Sequence, residues 1–443
     1  MKFNADLVKA LATATAATLV YLLFPADAGE ATRRTAAIFV MAAGFWAMEI
    51  IPLYATSLLV VLMNVFLLAR PGGVLDMDEQ GYQIFLVPFA SPIIMLFFGG
   101  FVLAAALHKY QLDHRMAALL LRAVGKRPFA ILCGMMAITA FLSMWVSNTA
   151  TAAMMMVLVR PLCDQLEDQP RYRAGLVLSI PFGANLGGIG TPVGSPPNAI
   201  ALGILQQQGF RISFLNWMRF AVPLMLILLV LSALWLYKRH PATVSRIASE
   251  LDPPASLNRK ERRVALIALG TVLLWLTSGW HGIPEALVGL LAAGAFAALS
   301  LLDREDFKQL NWDILLLMWG GLALGRGMEV GGLSEWVVGQ PLFQVEGLLL
   351  IAIATAVALV LSTVMSNTAT ATLLLPIVVA LSGGHPLVLG VTVALACSFA
   401  MALPVSTPPN AIAFGSERLR IADMMKAGFA LNIIGAALII AAI

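Results

Sequence analysis

Stretches of about twenty mostly apolar residues, the length that crosses the hydrocarbon core of a bilayer, recur from one end of this chain to the other. They predict helices over 6–24, 33–51, 52–70, 88–124, 171–207, 213–237, 262–279, 284–302, 311–330, 386–416 and 421–443. Two further stretches, 128–162 and 346–380, carry polar residues at their centres and predict re-entrant hairpins. Non-helical backbone at membrane depth survives only where protein encloses it or a wet cavity adjoins it. The expected fold class is all-α and polytopic: eleven transmembrane segments and two hairpins, with broken helices at the midplane.

Interruptions refine this outline. Gly99-Gly100 begins a turn inside 88–124, so that stretch reads as a broken helix. Its second part, with His108, Lys109, His114, Arg115 and Arg122, would lie along the interface. Gly320-Gly321 answers the first glycine pair, followed by Arg326 and Glu329, which read as a structural ion pair. Segment 171–207 is broken by Gly183, Gly187, Gly188 and Gly190 and by the loop from Thr191 to Asn198. Pro52 hinges the second and third helices, and Glu49 beside it snorkels from a helix end. Lys2 and Lys9 precede an apolar run ending near Ala26-Asp27-Ala28, which also fits a signal peptide. In a multispanning chain a retained helix is expected.

The polar centres repeat. Ser147 to Ala152 and Ser366 to Ala371 both read Ser-Asn-Thr-Ala-Thr-Ala. Gly194 to Ala201 and Ser406 to Ala413 both end Pro-Pro-Asn-Ala-Ile-Ala. Asn148 and Asn367 stand 219 positions apart, Asn198 and Asn410 212 apart, in the same order, so one long unit is duplicated. Taken singly, Ser-Asn-Thr in a membrane helix is interhelical hydrogen-bonding glue and Pro-Pro-Asn a turn. Four such elements, paired in order, mark a site.

Composition then excludes soluble classes. Of 443 residues 60% are hydrophobic and 12% charged, where a soluble domain carries roughly 25% charged residues. The net charge of +4 therefore says nothing of nucleic acid; the placement of basic residues matters instead. With the N-terminus cytoplasmic, 22 of the 28 Lys and Arg fall on the cytoplasmic side, an excess that sets orientation and puts the C-terminus outside. The polar, basic segment 238–263 is a cytoplasmic linker, and the two repeats enter the membrane from opposite faces. The expected division is 1–127, N-terminal helix and scaffold; 128–237, first hairpin and transport helices; 238–263, linker; 264–345, second scaffold; and 346–443, second hairpin and transport helices. Cys133, Cys163 and Cys397 read as small buried thiols without a disulfide framework.

Inverted repeats place a binding site at the midplane, where discontinuous helices meet. Ser195 before Pro196-Pro197 and Thr407 before Pro408-Pro409 are helix starts. Thr149 and Thr368 open the second hairpin helices in the same way. Helix N-termini expose unpaired N–H groups and about half a positive charge each, so two pairs facing one cavity hold an anion without Arg or Lys. Ser143, five residues before Asn148, and Ser362, five before Asn367, add neutral oxygens that suit sodium. No Asp, Glu or His lies in the four signatures, which argues against a proton relay there and against a nucleophile with its base.

With these residues in view, the chain resembles the divalent anion:sodium symporter family, carriers of dicarboxylates, citrate or sulfate. The likeness covers nearly the whole chain, from Trp46, Glu49, Pro52 and Thr56 through both glycine pairs and all four signatures. It implies one sodium site from Ser143, Ser147, Asn148 and the Gly194 carbonyl, and a second from Ser362, Asn367 and the backbone of Met365 and Ser406. It implies anion contacts from Asn148, Thr149, Ser195, Ser366, Asn367, Thr368 and Thr407. It also implies a homodimer in the inner membrane, surrounded by lipid, working by an elevator mechanism with two or more sodium ions. Ser406 departs from the alanine common in the family and bears on the second cation site. Sodium-independent exchange and sulfate transport remain alternatives on the same fold, and pocket residues alone do not choose the anion.

Overall fold

The computed structural model describes residues 2–247, 256–340, 345, 347–382, 385–416 and 418–441. The middle of the 238–263 linker, with Pro253-Pro254, and the last two residues lie outside these. Among the described residues every regular element is a helix.

The first half begins with α1 (Lys2–Leu23), α2 (Glu30–Met48) and α3 (Leu53–Asn64), then short α4 (Gln83–Leu86). Next come α5 (Pro92–Lys109) and α6 (Leu112–Ala123). The hairpin α7 (Pro128–Ser143) and α8 (Asn148–Asp164) follows, then the broken pair α9 (Pro170–Ile189) and α10 (Pro196–Gln207), and α11 (Phe214–Arg239). The second half repeats the order. It runs through α12 (Arg259–Leu276), short α13 (Ser278–His281), α14 (Glu285–Ala298), short α15 (Arg304–Lys308), α16 (Trp312–Val330) and short α17 (Leu333–Val338). Its hairpin is α18 (Gly347–Val364) and α19 (Asn367–Ala380), its broken pair α20 (Pro386–Ser398) and α21 (Pro408–Phe414), and α22 (Ile421–Ala441) ends the chain.

Five of these segments, Ala5–Leu23, Gln83–Lys109, Phe214–Arg239, Gly347–Val364 and Ile421–Ala441, are long and apolar enough to cross a membrane alone. Leu53–Ala69, Pro128–Ser143, Glu285–Ala298, Asn367–Ala380 and Pro386–Ser398 are apolar as well but shorter. Here one expectation is corrected: the break in 88–124 falls at Tyr110–Gln111, where Gln111 adopts φ 51°, and not at Gly99-Gly100. The glycines lie inside a continuous helix because its neighbours approach too closely for a side chain. A methyl on Gly99 would fall on the Gly289 backbone of α14, and one on Gly100 would meet Val193 at 3.2 Å. Gly320 meets Ser57 of α3 in the same manner, and a methyl on Gly321 would meet Thr372 of α19 at 2.6 Å. Each glycine pair thus lets one helix pack on an outer helix and an inner element at once.

The centre belongs to the broken helices. Tyr172 and every residue of α9 from Ala174 to Ile189 are buried, as are all residues of α20 from Thr392 to Ser398. A helix apolar on all sides is what full enclosure requires. Helix α1 sits outside, tied to α2 by Arg33, whose Nη2 donates to the Tyr21 carbonyl at 3.0 Å. At one end, Lys109 meets Asp303 at 3.0 Å and Asp306 at 2.5 Å, Arg115 meets Glu261 at 3.1 Å, and Arg418 pairs with Asp164. The hydrogen bond from Lys109 holds the Asp303 carboxyl below the usual carboxylate range. Glu49 is exposed just past the end of α2 with φ 46°, and Arg326 pairs with Glu329 at 2.7 Å. The three cysteines carry free thiols, two of them buried.

Candidate functional site

Both hairpins turn on the same local chemistry. The Ser147 hydroxyl accepts from Ala150 N–H at 3.2 Å and caps α8; Ser366 accepts from Ala369 N–H at 3.1 Å and caps α19. These caps correct the sequence expectation, which had Thr149 and Thr368 opening the helices. A cap oxygen must reach the N–H three residues on, and the serines are the residues placed to do so. Thr149 and Thr368 fall one residue inside, in the first turn.

The loops of the broken helices are also built twice. Asn198 Nδ2 donates to the carbonyls of Gly188 at 2.9 Å and Thr191 at 2.8 Å. Asn410 Nδ2 donates to those of Ala400 at 3.4 Å and Leu403 at 2.9 Å, the same two offsets along the chain. Each Asn folds its own loop, and both are fully buried. Ser195 and Thr407 stand in extended backbone at the starts of α10 and α21, where only the Thr407 hydroxyl makes a cap bond, and Pro196 and Pro408 occupy first-turn positions that need no donor.

One cavity of about 420 Å³ collects these ends. Its walls include Ser147, Asn148 and Thr149 from the first hairpin, and Ser366, Asn367 and Thr368 from the second. Gly194, Ser195 and Pro196 face it from one broken loop, Ser406, Thr407, Pro408 and Pro409 from the other. Four helix N-termini therefore open on one space. Among the described residues no Lys, Arg or His lines it, and the one charged residue on its wall is the exposed Asp313. Every residue named from the sequence as an anion contact is present.

Behind each hairpin asparagine lies a cluster of oxygens short of hydrogens. Ser143 Oγ is 2.5 Å from Asn148 Oδ1 and 2.9 Å from the Ala184 carbonyl. Ser362 Oγ is 2.7 Å from Asn367 Oδ1 and 2.5 Å from the Cys397 carbonyl. A hydroxyl brings one proton, so one of its two acceptors in each cluster goes without. Three neutral oxygens with a deficit of positive charge are the ligand set a small monovalent cation fits. Ser143 and Ser362 are fully buried and do not line the cavity themselves. Of the other residues named for cations, Ser147, Gly194 and Ser406 lie on the cavity wall, whereas Met365 packs its side chain into the core with Trp46 and Leu317.

Ser406 has a visible task. Its hydroxyl donates to the Thr363 carbonyl at 2.6 Å, as Thr191 donates to Met144 at 2.6 Å in the first half. Leu403 fills the position matching Thr191, so the tether has moved three residues along. Ser406→Ala should lower thermal stability in detergent by about 1–3 kcal/mol, the cost of an orphaned buried carbonyl. It should also raise the sodium concentration for half-maximal activity, because the tethered carbonyl sits in the last turn of α18, which leads into the second hairpin turn. A melting curve and sodium response matching wild type would remove the tether from the account.

A family model described as the sodium:sulfate symporter transmembrane region matches residues 5–443. The chain belongs to that family. A sodium-dependent dicarboxylate transporter, SdcS, of Staphylococcus saprophyticus is 34% identical over 449 residues, spanning 91% of this chain and 84% of the relative. SdcS of Staphylococcus aureus is 33% identical over 448 residues, spanning 91% and 84%. The crystal structure of the Alcanivorax borkumensis YdaH transporter shares the fold with a TM-score of 0.59 at 12% identity, covering 90% of this chain and 97% of that one. Family membership makes the chain a sodium-coupled, multi-pass membrane transporter and not an enzyme.

Within the symporter fold, two polar residues escape a reading by repeats. Asn185 of α9 lines the cavity and donates across to Thr407 Oγ1 at 3.3 Å and Asn410 Oδ1 at 3.2 Å. Ser398 of α20 meets Ser195 Oγ at 3.2 Å. Each broken helix thus supports a cap of the opposite half. The two stand at matching places, each directly after the carbonyl of its cluster, but as Asn in one half and Ser in the other they leave no echo in the sequence.

Proposed function

We propose that this symporter carries a C4-dicarboxylate with sodium, one cation in each oxygen cluster and one anion in the shared cavity between them. The observation that supports it most is the convergence of four helix N-termini and two oxygen clusters on one cavity without a basic side chain. In this reading Asn148 and Asn367 each turn Oδ1 toward a cation and Nδ2 toward the anion. Thr149, Ser195, Ser366, Thr368 and Thr407 supply further donors. The SdcS relatives, named as sodium-dependent dicarboxylate transporters, favour a dicarboxylate over sulfate.

The working cycle is of the elevator kind, with the hairpins and broken helices carried past α2, α3, α12 and α14. The paired glycine joints in α5 and α16 are where moving and fixed parts would meet. The two halves are inverted repeats in the inner membrane, N-terminus cytoplasmic and C-terminus external, and the working unit is a homodimer. The ion pairs Lys109–Asp303, Arg115–Glu261 and Arg418–Asp164 each join segments that the Lys and Arg distribution assigns to the cytoplasm. A cysteine at Ser256 should accordingly resist impermeant thiol reagents in intact cells and react in inverted vesicles. Labelling from outside would overturn the orientation and the inverted repeat with it.

Purified protein in liposomes tests the function directly. An imposed inward sodium gradient should drive uphill accumulation of succinate, with malate, citrate, tartrate and sulfate as competitors. Counterflow without any sodium requirement would replace symport by exchange, and preference for sulfate would replace the substrate.

A further inference from the structure

The hydrogen-bond directions around Thr407 carry more than its place in the wall. Asn185 is 1% exposed, and its two amide hydrogens go to Thr407 Oγ1 and Asn410 Oδ1. Its own Oδ1 has no partner. Turning the amide over would set that oxygen against Asn410 Oδ1 with no hydrogen between them, so the network fixes the orientation. Both amide hydrogens of Asn410 are already committed to the Ala400 and Leu403 carbonyls. Thr407 Oγ1 therefore accepts twice, from Asn185 Nδ2 at 3.3 Å and from the Asn410 backbone N–H at 3.3 Å. Among the described residues no acceptor holds its own proton. A hydroxyl has one donor and two acceptor positions, and here only the donor is left, on a residue that lines the cavity.

We propose that Asn185 is a positioning residue that aims the Thr407 hydroxyl hydrogen into the cavity, making it a committed donor to a carboxylate oxygen of the transported anion. The proposal rests on the dicarboxylate reading above and deepens it. The matching cap in the other half is built otherwise. Ser195 shares its hydroxyl with Ser398, which also has the Ala394 carbonyl within 3.3 Å and follows the Cys397 cluster carbonyl as Asn185 follows that of Ala184. Donor strength is thus unequal at the two ends of the cavity, with the polarised hydroxyl on the second half's cap. An amide that donates twice also strengthens the hydroxyl it feeds, since chained hydrogen bonds polarise one another.

The test is a double-mutant cycle in full-length protein reconstituted into liposomes, read as the KM for succinate at saturating sodium. Asn185→Ala should raise KM about 3–10-fold, the span of one hydrogen bond between neutral partners. Thr407→Val, which removes the hydroxyl and keeps the shape, should raise it comparably. In the Thr407→Val background, Asn185→Ala should add less than about twofold, because the group it positions is gone. Asn185→Asp is isosteric and replaces donors by acceptors, so the Thr407 proton turns onto it and KM rises at least as far as with alanine. It stands in for the alanine variant if that protein fails to fold, as judged by melting in sodium. Multiplicative effects in the double mutant, or an unchanged KM in Asn185→Asp, would overturn the assignment. If wild-type protein shows no sodium-driven succinate uptake, the functional reading falls by itself. The same cycle is then read on whichever anion of the panel wild type does carry.

Discussion

Asn148→Ala and Asn367→Ala each bring sodium-driven uptake down to the level of protein-free liposomes, while both proteins still insert and run as single species in detergent. The expectation follows from how much each amide does. Asn148 Oδ1 stands 2.5 Å from Ser143 Oγ, and Asn367 Oδ1 2.7 Å from Ser362 Oγ, inside clusters that lack a hydrogen. Both residues also line the cavity. On the proposed reading, alanine removes a cation ligand and an anion donor together. Hydrogen bonds to charged groups are worth about 1.5–3 kcal/mol each, so two lost interactions amount to roughly 3–6 kcal/mol. That corresponds to more than about a hundredfold in apparent affinity. Folding should be spared, because the helices are capped by Ser147 and Ser366 and not by the asparagines. Wild-type uptake by either variant would remove the midplane site from this account.

Those asparagines were legible in the sequence for a physical reason. A helix interrupted in the membrane must satisfy its freed backbone groups with small polar residues at set offsets, and a duplicated interruption writes the same letters twice. Asn198 and Asn410, each closing its loop from the same two offsets, were visible on that ground. Gly99-Gly100 was visible too, yet its meaning was not. A glycine that breaks a helix and one that admits a neighbouring backbone look alike until the neighbour, Gly289, is known. The break at Tyr110–Gln111 has no glycine or proline to announce it. Asn185 lay hidden because its partners are 222 and 225 residues away and its counterpart, Ser398, is a different residue type. Repeats expose what the two halves spell alike; a contact that both halves make with different residue types, Asn185 in one and Ser398 in the other, leaves no echo.

Anion binding should require sodium, and this is the other large effect expected. A dianion brought to the cavity loses hydration worth several kcal/mol per charge, even after the protein relaxes. Among the described residues the cavity wall offers it no Lys, Arg or His. Helix N-termini contribute about 0.3–2 kcal/mol each, and the four here have to offset two charges. A cation in each cluster, beside Ser143 with Asn148 and beside Ser362 with Asn367, would bring the local charge near zero before the anion arrives. The same cations would draw Asn148 and Asn367 into register and so order the turns that present Thr149 and Thr368. Linkage then demands reciprocity: whatever factor sodium adds to anion affinity, the anion adds to sodium affinity. Replacing sodium by choline at constant ionic strength should lower succinate affinity at least about a hundredfold, which a coupling of roughly 3 kcal/mol would produce. Ser362→Ala should move the sodium dependence to higher concentration and leave succinate affinity at saturating sodium nearly unchanged, because Ser362 faces the cation cluster and not the cavity. Calorimetry giving equal succinate binding in sodium and choline would sink the coupling model and make the protein a sodium-independent exchanger.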